Sequence, residues 1–76
     1  MTDLVEFLAR ALVDDPDAVR VETEDRDDAL VLHLHVAPDD VGKVIGRQGR
    51  IARALRTIVR AAGARSNERA MLEIVG

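Results

Sequence analysis

"GKVIGRQGRIARALR", Gly42 to Arg56, places two glycines around Arg47 and Gln48 and runs directly into an arginine-rich helical repeat. Upstream, Pro38 suits the first position of a helix and Asp39 and Asp40 suit its first turn, so a short helix is expected from there to about Ile45, stopped by Gly46. Downstream, a longer helix is expected from Arg50 to about Ala62, with Gly63 as its C-terminal cap. At helical spacing Ile51, Leu55, Ile58 and Ala62 share one side of it, while Arg53, Arg56 and Arg60 share the other with Arg50 nearby. The stretch therefore reads as helix, four-residue turn, helix, with one core face and one cationic face.

Working outward, Leu4, Val5, Phe7, Leu8, Ala11 and Leu12 recur at the spacing of an amphipathic helix, with Thr2 as its expected N-cap and Pro16 beyond its last turn. Val19, Val21 and Thr23 alternate with Arg20, Glu22 and Glu24, the period of a half-buried strand. "EDRDD" (24–28) reads as a hairpin connection. Leu30, Leu32, Leu34 and Val36 then alternate with Val31, His33 and His35 as a second strand, antiparallel to the first. After the polar "ARSNE" (64–68), Ala70, Leu72 and Ile74 alternate with Met71, Glu73 and Val75 as a third strand. The order α-β-β-α-α-β fits one α+β unit over residues 1–76, a three-stranded sheet covered on one face by three helices. The third strand follows two helices rather than a tight turn, which favours a parallel neighbour but leaves the strand order open.

Composition narrows the function classes. Hydrophobic residues make up 47% of the chain, yet Phe7 is the only aromatic, so aliphatic side chains fill the core and stacking of bases on tyrosine or tryptophan is excluded. Without cysteine there is no disulfide or thiolate metal site, and the first residues carry acids where a signal peptide carries bases, so a cytoplasmic location is expected. The apolar stretches are too short to span a bilayer. The net charge of −3 is unevenly placed. From Met1 to Asp40 three arginines face twelve acids, a net −9, whereas from Val41 to Arg69 one lysine and seven arginines face a single glutamate, a net +7. Either the halves neutralise each other within the folded chain, or the second half attracts polyanions.

The glycines admit two readings. As a bare turn, they supply backbone angles that a β-carbon forbids. As a ligand loop, they let another backbone approach, while the start of the second helix offers unpaired N–H groups and a positive dipole to a phosphate, reinforced by Lys43, Arg47 and Arg50. A Walker A loop is absent, because Lys43 is followed by Val44 rather than Ser or Thr. A dinucleotide fingerprint is absent too, because Val44 stands where its first glycine belongs and a helix precedes the loop. His33 and His35 share a strand face without a clearly convergent third ligand, so an exposed sheet face is preferred to a zinc site. No nucleophile, base and orienting group can be assembled, so no enzyme is expected.

"VIGRQG" between two helices resembles the Ile-Gly-x-x-Gly signature of KH domains, and the element order resembles their type II arrangement. Size and the stretch "APDDVGKVIGRQGRIARALRTIVRAA" (37–62) are similar to those of small stand-alone bacterial KH proteins, a likeness covering essentially the whole chain. The resemblance implies a KH core at about 30–75 with residues 1–29 as an N-terminal extension, and a groove that holds about four nucleotides of single-stranded nucleic acid. Gly46 and Gly49 would admit its backbone, Arg47 and Gln48 would form the exposed loop pair, and Ile45 would contribute to the apolar floor. Lys43, Arg50 and Arg53 are expected phosphate contacts by charge and nearness. Met71 and Leu72 would belong to the opposite wall, which of them faces the groove being open. The implied protein is a non-catalytic RNA chaperone without cofactor or metal, acting on single-stranded RNA (single-stranded DNA being open). It would act as a homodimer or with a second KH protein of the KhpB type, in RNA regulation linked to cell-envelope growth and cell shape. The alternative is a dimerisation scaffold with little RNA binding of its own.

Overall fold

The computed structural model describes residues 1–75. Six elements follow the expected order: α1 (Thr2–Leu12), β1 (Arg20–Arg26), β2 (Ala29–His35), α2 (Val41–Ile45), α3 (Arg50–Arg65) and β3 (Arg69–Val75), with single 3-10 turns at Pro16–Ala18, Pro38–Asp40 and Arg47–Gly49. The sheet order is β1-β2-β3, with β1 antiparallel to β2 and β3 parallel to it. The two-helix connection makes the parallel pairing possible, since a tight turn can join only antiparallel neighbours. It also leaves β3 as an edge strand with α3 packed along it.

The core forms between the helices and the inner face of β2. Leu32, Leu34, Val5, Val44 and Val59 are fully buried there, joined by Leu55, Ala70 and Leu72. Each large aliphatic side chain so buried contributes about 1.5–3 kcal/mol. On the outer face Val31 is still only 1% exposed, because β2 is central and Glu24 and Met71 flank it in register.

Several local expectations need correction. α1 starts directly after Met1 without a side-chain cap, so Thr2 lies inside the helix. Its core stripe is Val5 and Ala9, leaving Phe7 70% exposed. In α3 the buried residues are Ala52, Leu55, Val59 and Gly63, a stripe rotated from the expected one, with Ile58 exposed. Nor does α3 end at Gly63. It continues to Arg65, and Asn67, at φ 56°, takes the left-handed position after it. Gly63 instead lets the helix approach β3, where an added Cβ would stand 2.7 Å from the Glu68 carbonyl oxygen and 2.8 Å from the Ala70 Cβ. The hairpin is tighter than expected: β1 and β2 pair as far as Arg26 and Ala29, leaving only Asp27 and Asp28, both at positive φ, in the turn.

Candidate nucleic-acid interface

The loop geometry follows from its glycines. Gly46 closes α2 by donating its N–H to the Gly42 carbonyl, then turns the chain at φ 76°, ψ 171°. A Cβ there would stand 2.7 Å from Ile51 Cγ1, so the position is closed to any side chain by both angle and space. Gln48 and Gly49 are left-handed, at φ 57° and 73°. Arg47 and Gln48 are exposed at the crest. The loop is braced by the helix it introduces: Arg53 Nη1 donates to the Gln48 carbonyl at 2.8 Å, and Arg50 Nη2 donates to Gln48 Oε1 at 3.5 Å. No side chain caps the first N–H groups of α3, which leaves a positive helix end beside the two arginines.

From the loop, Arg53, Arg56 and Arg60 run along α3. Arg53 reaches back to the loop, while Arg56 and Arg60 face the free edge of β3. A cavity of about 250 Å³ lies between them, lined by Arg56, Arg60, Ala70, Met71 and Leu72. A second depression sharing Arg60, Ala70 and Met71 continues it toward Glu68 and Arg69. Arg56 spans the two walls, donating from Nε to the Leu72 carbonyl at 3.5 Å. Both residues of the opposite wall left open by sequence line the cavity. Met71 is 48% exposed, whereas the Leu72 side chain is buried. Sequence reasoning put Arg56 and Arg60 on the cationic face without taking them into the site. Their positions three and seven residues beyond Arg53 carried the signal.

The expected cations are not equivalent. Lys43 Nζ lies 3.1 Å from Asp14 Oδ2 and 3.5 Å from Asp40 Oδ1, and its pKa is raised, first by its hydrogen bond to Asp14. Its charge is therefore countered from the N-terminal segment. Ile45 closes α2 half-buried beside the loop. Among the described residues, Arg10, Arg20 and Arg26 each pair with a carboxylate, while the seven arginines from Arg47 to Arg69 pair with none. The acidic and basic halves thus do not neutralise each other through arginine ion pairs. Asp40 serves as an anchor: 2% exposed, it accepts the backbone N–H groups of Asp15 and Asp14 at 3.0 and 3.3 Å. Burial raises its pKa, but those bonds and Lys43 more than offset this and hold it below the ordinary value.

On the open sheet face His33 Nε2 lies 2.9 Å from Glu24 and its Nδ1 3.3 Å from Glu73, while His35 Nε2 lies 2.6 Å from Glu22. These contacts link the strands across the sheet. Among the described residues no three such side chains are gathered as metal ligands, and no helix is long and apolar enough to cross a membrane.

Comparison with known proteins matches this arrangement to one family. A family model for the KhpA/KhpB KH domain matches residues 2–74. A relative from Clostridium acetobutylicum named RNA-binding protein KhpA is 48% identical over 75 residues, covering 99% of this chain and 100% of its own length. Relatives of the same name from Halalkalibacterium halodurans and Aquifex aeolicus are 52% and 49% identical, each over 99% of this chain and over 99% and 95% of their own. No solved structure matches. With a family match and near-half identity both running across the braced loop, the arginine stripe and the β3 edge, the chain belongs to the KhpA/KhpB family of KH-domain proteins.

Proposed function

We propose that this protein binds short single-stranded RNA, without catalysis, along a track from the Gly46–Gly49 loop to the groove between α3 and β3. The observation that carries the reading is the row of arginines without carboxylate partners beside a glycine loop whose following helix begins without a side-chain cap. The relatives' name, RNA-binding protein, supports RNA as the polyanion. In this reading Gly46 and Gly49 admit the backbone, and Arg47, Gln48, Arg50 and Arg53 meet phosphates. Ile45 contributes to the floor, and Lys43 acts from the margin with its charge shared with Asp14 and Asp40. The binding core is residues 30–75, and 1–29 extends it.

A single groove of this size reads few nucleotides, so pairing two grooves raises avidity without new contacts to RNA. We therefore include a homodimer, or a complex with a KhpB-type KH protein, in the proposal. The exposed Leu4, Phe7 and Ile58 on α1 and α3 support such association. An RNA-chaperone role in cytoplasmic regulation of cell-envelope growth and cell shape follows from the same family likeness. The same apolar face favours the second reading, a scaffold whose groove is idle. Fluorescence anisotropy with short single-stranded RNA, on the wild type and on a variant carrying Arg47→Asp and Gln48→Asp, separates them. Salt-dependent binding lost in the folded variant supports the groove. Equal behaviour of the two proteins would favour the scaffold.

A further inference from the structure

We infer that Met71 is a modification site: a peroxide oxidises its thioether to the sulfoxide, and the sulfoxide loosens the protein's hold on RNA. The modification stands on exposure and chemistry, while its effect on RNA rests on the RNA-binding reading. The chain has no cysteine, tryptophan or tyrosine, so its two methionines are the side chains that a peroxide readily oxidises. They differ in access. Met1 is half-buried against the core, whereas Met71 is 48% exposed and lines both depressions between α3 and β3. With no thiol in the chain to intercept the oxidant, the sulfur it reaches first is the one on the groove wall.

The step balances between methionine and peroxide. A sulfur lone pair attacks one peroxide oxygen, the O–O bond breaks and an S–O bond forms. Sulfur loses two electrons and the peroxide gains them, while the departing hydroxide takes the proton of the transferred oxygen and leaves as water. Reversal needs an outside thiol-dependent sulfoxide reductase: two thiols supply the electrons and close into a disulfide, and the oxygen leaves as water.

The surroundings turn this small change into a change of ligand contact. A thioether is an apolar group and a weak acceptor, whereas the sulfoxide is polar. Arg56 and Arg60 line the same cavity as Met71, and no carboxylate engages either among the described residues. Arg56 uses Nε on the Leu72 carbonyl, so its Nη groups are open to the new oxygen. An oxygen held there competes with a phosphate for the guanidinium and removes apolar surface from the wall. The fold is spared, because the oxygen sits on a half-exposed side chain within reach of water, and no polar group is buried unpaired. Met71 keeps its place opposite Val31 in the pairing of β3 with β2.

The test treats the full-length protein with hydrogen peroxide, follows the gain of one oxygen on each methionine by peptide mass spectrometry, and measures anisotropy with a short mixed-sequence single-stranded RNA before and after. Met71 should oxidise ahead of Met1, and RNA at about ten times its Kd should slow that oxidation about tenfold. The oxidised protein should bind RNA about fivefold more weakly and melt within about 3 °C of the untreated one. Its affinity should recover when the two epimer-specific sulfoxide reductases are added with a thiol reductant. Met71→Leu, which keeps Met1 as an internal control, should show the same affinity before and after peroxide. Met71→Gln, which carries a permanent polar acceptor, should bind as weakly as the oxidised wild type with or without peroxide. Oxidation of Met1 first, an oxidised wild type that binds as tightly as the untreated one, or an equal loss in Met71→Leu overturns the inference and leaves RNA binding standing. If the untreated wild type binds no RNA, the RNA-binding reading and the switch fall together.

Discussion

Arg53 Nη1 donates to the main-chain carbonyl of Gln48 at 2.8 Å, tying the crest of the glycine loop to the helix that follows it. A left-handed Gln48 is an uncommon conformation for a residue with a side chain, and this bond holds the carbonyl that such a backbone turns outward. Arg53→Ala is expected to loosen the loop and weaken RNA binding about five- to tenfold, the loss of one charge-assisted hydrogen bond. Arg53→Lys keeps the charge without the forked geometry, so it should recover only part of the loss. Amide hydrogen exchange over residues 46–49 is the check: faster exchange in both variants identifies a brace, whereas unchanged exchange leaves Arg53 a phosphate contact alone.

Three glycines that look alike in sequence should respond differently to alanine. At Gly46 the new Cβ meets Ile51 and the backbone angles suit only glycine, so Gly46→Ala should cost about 1–3 kcal/mol. Gly63→Ala drives a methyl group against the Glu68 carbonyl and Ala70 and should cost about as much, through overpacking. Gly42 lies within α2 with open space where its Cβ would be. Gly42→Ala should therefore stabilise by about 0.5–1 kcal/mol, the helix-propensity gain. Urea unfolding followed by far-UV circular dichroism ranks the three, and a destabilised Gly42→Ala would contradict the ordering.

This contrast also marks what the sequence could convey. Alternation in β1, β2 and β3 and the break at Gly46-Arg47-Gln48-Gly49 were legible because they are local: strand period and glycine angles are set within a few residues. Gly63 reads as a cap in sequence because a glycine near a helix end and a glycine under a crossing strand look identical until β3 is placed parallel to β2. Phe7 and Ile58 fit core stripes by spacing, yet the fold leaves both exposed. The link between Arg56 and Leu72 spans 16 residues and depends on β3 being an edge, which no periodicity reveals.

Asp40 gives an acid-dependent term in stability. Its native pKa lies below the ordinary 3.8, so the unfolded chain takes up its proton first as pH falls. The stabilisation is complete above the ordinary value and is lost as pH drops through the lowered native one. Asp40→Asn also leaves the Asp14 and Asp15 N–H groups facing a poorer acceptor. The variant should melt lower than wild type at neutral pH, and the gap should narrow below about pH 4. Thermal melts across that range decide it. A gap that stays constant into strong acid would mean that Asp40 acts by shape rather than charge.

The hairpin offers a stabilising change. Asp27 and Asp28 both sit at positive φ, 50° and 64°, in the two-residue turn between β1 and β2. Such a turn favours glycine at its second position, where aspartate carries steric strain and sits beside a second negative charge. Asp28→Gly should stabilise by about 0.5–1 kcal/mol without changing RNA affinity, because the turn contributes no residue to the groove. Paired melting and anisotropy measurements test both halves of that statement.

The arginine stripe and Lys43 can be separated by salt. For single-stranded nucleic acid the slope of log affinity against log salt falls by about 0.7 for each phosphate contact. Arg47→Ala and Arg50→Ala should each reduce the slope by about that amount, because neither guanidinium has a carboxylate to return to when RNA leaves. Lys43 differs, since Asp14 and Asp40 already hold its ammonium. Recruiting it to a phosphate would break those pairs, so Lys43→Ala should leave the slope nearly unchanged and lower stability instead. The single variant Asp14→Asn, with Lys43 intact, sharpens the comparison: loosening the lysine, which Asp40 still engages, should steepen the slope part of the way toward that of one added phosphate contact. If Lys43→Ala flattens the slope as much as Arg47→Ala does, the lysine trades its carboxylates for RNA, and the N-terminal segment must release it on binding.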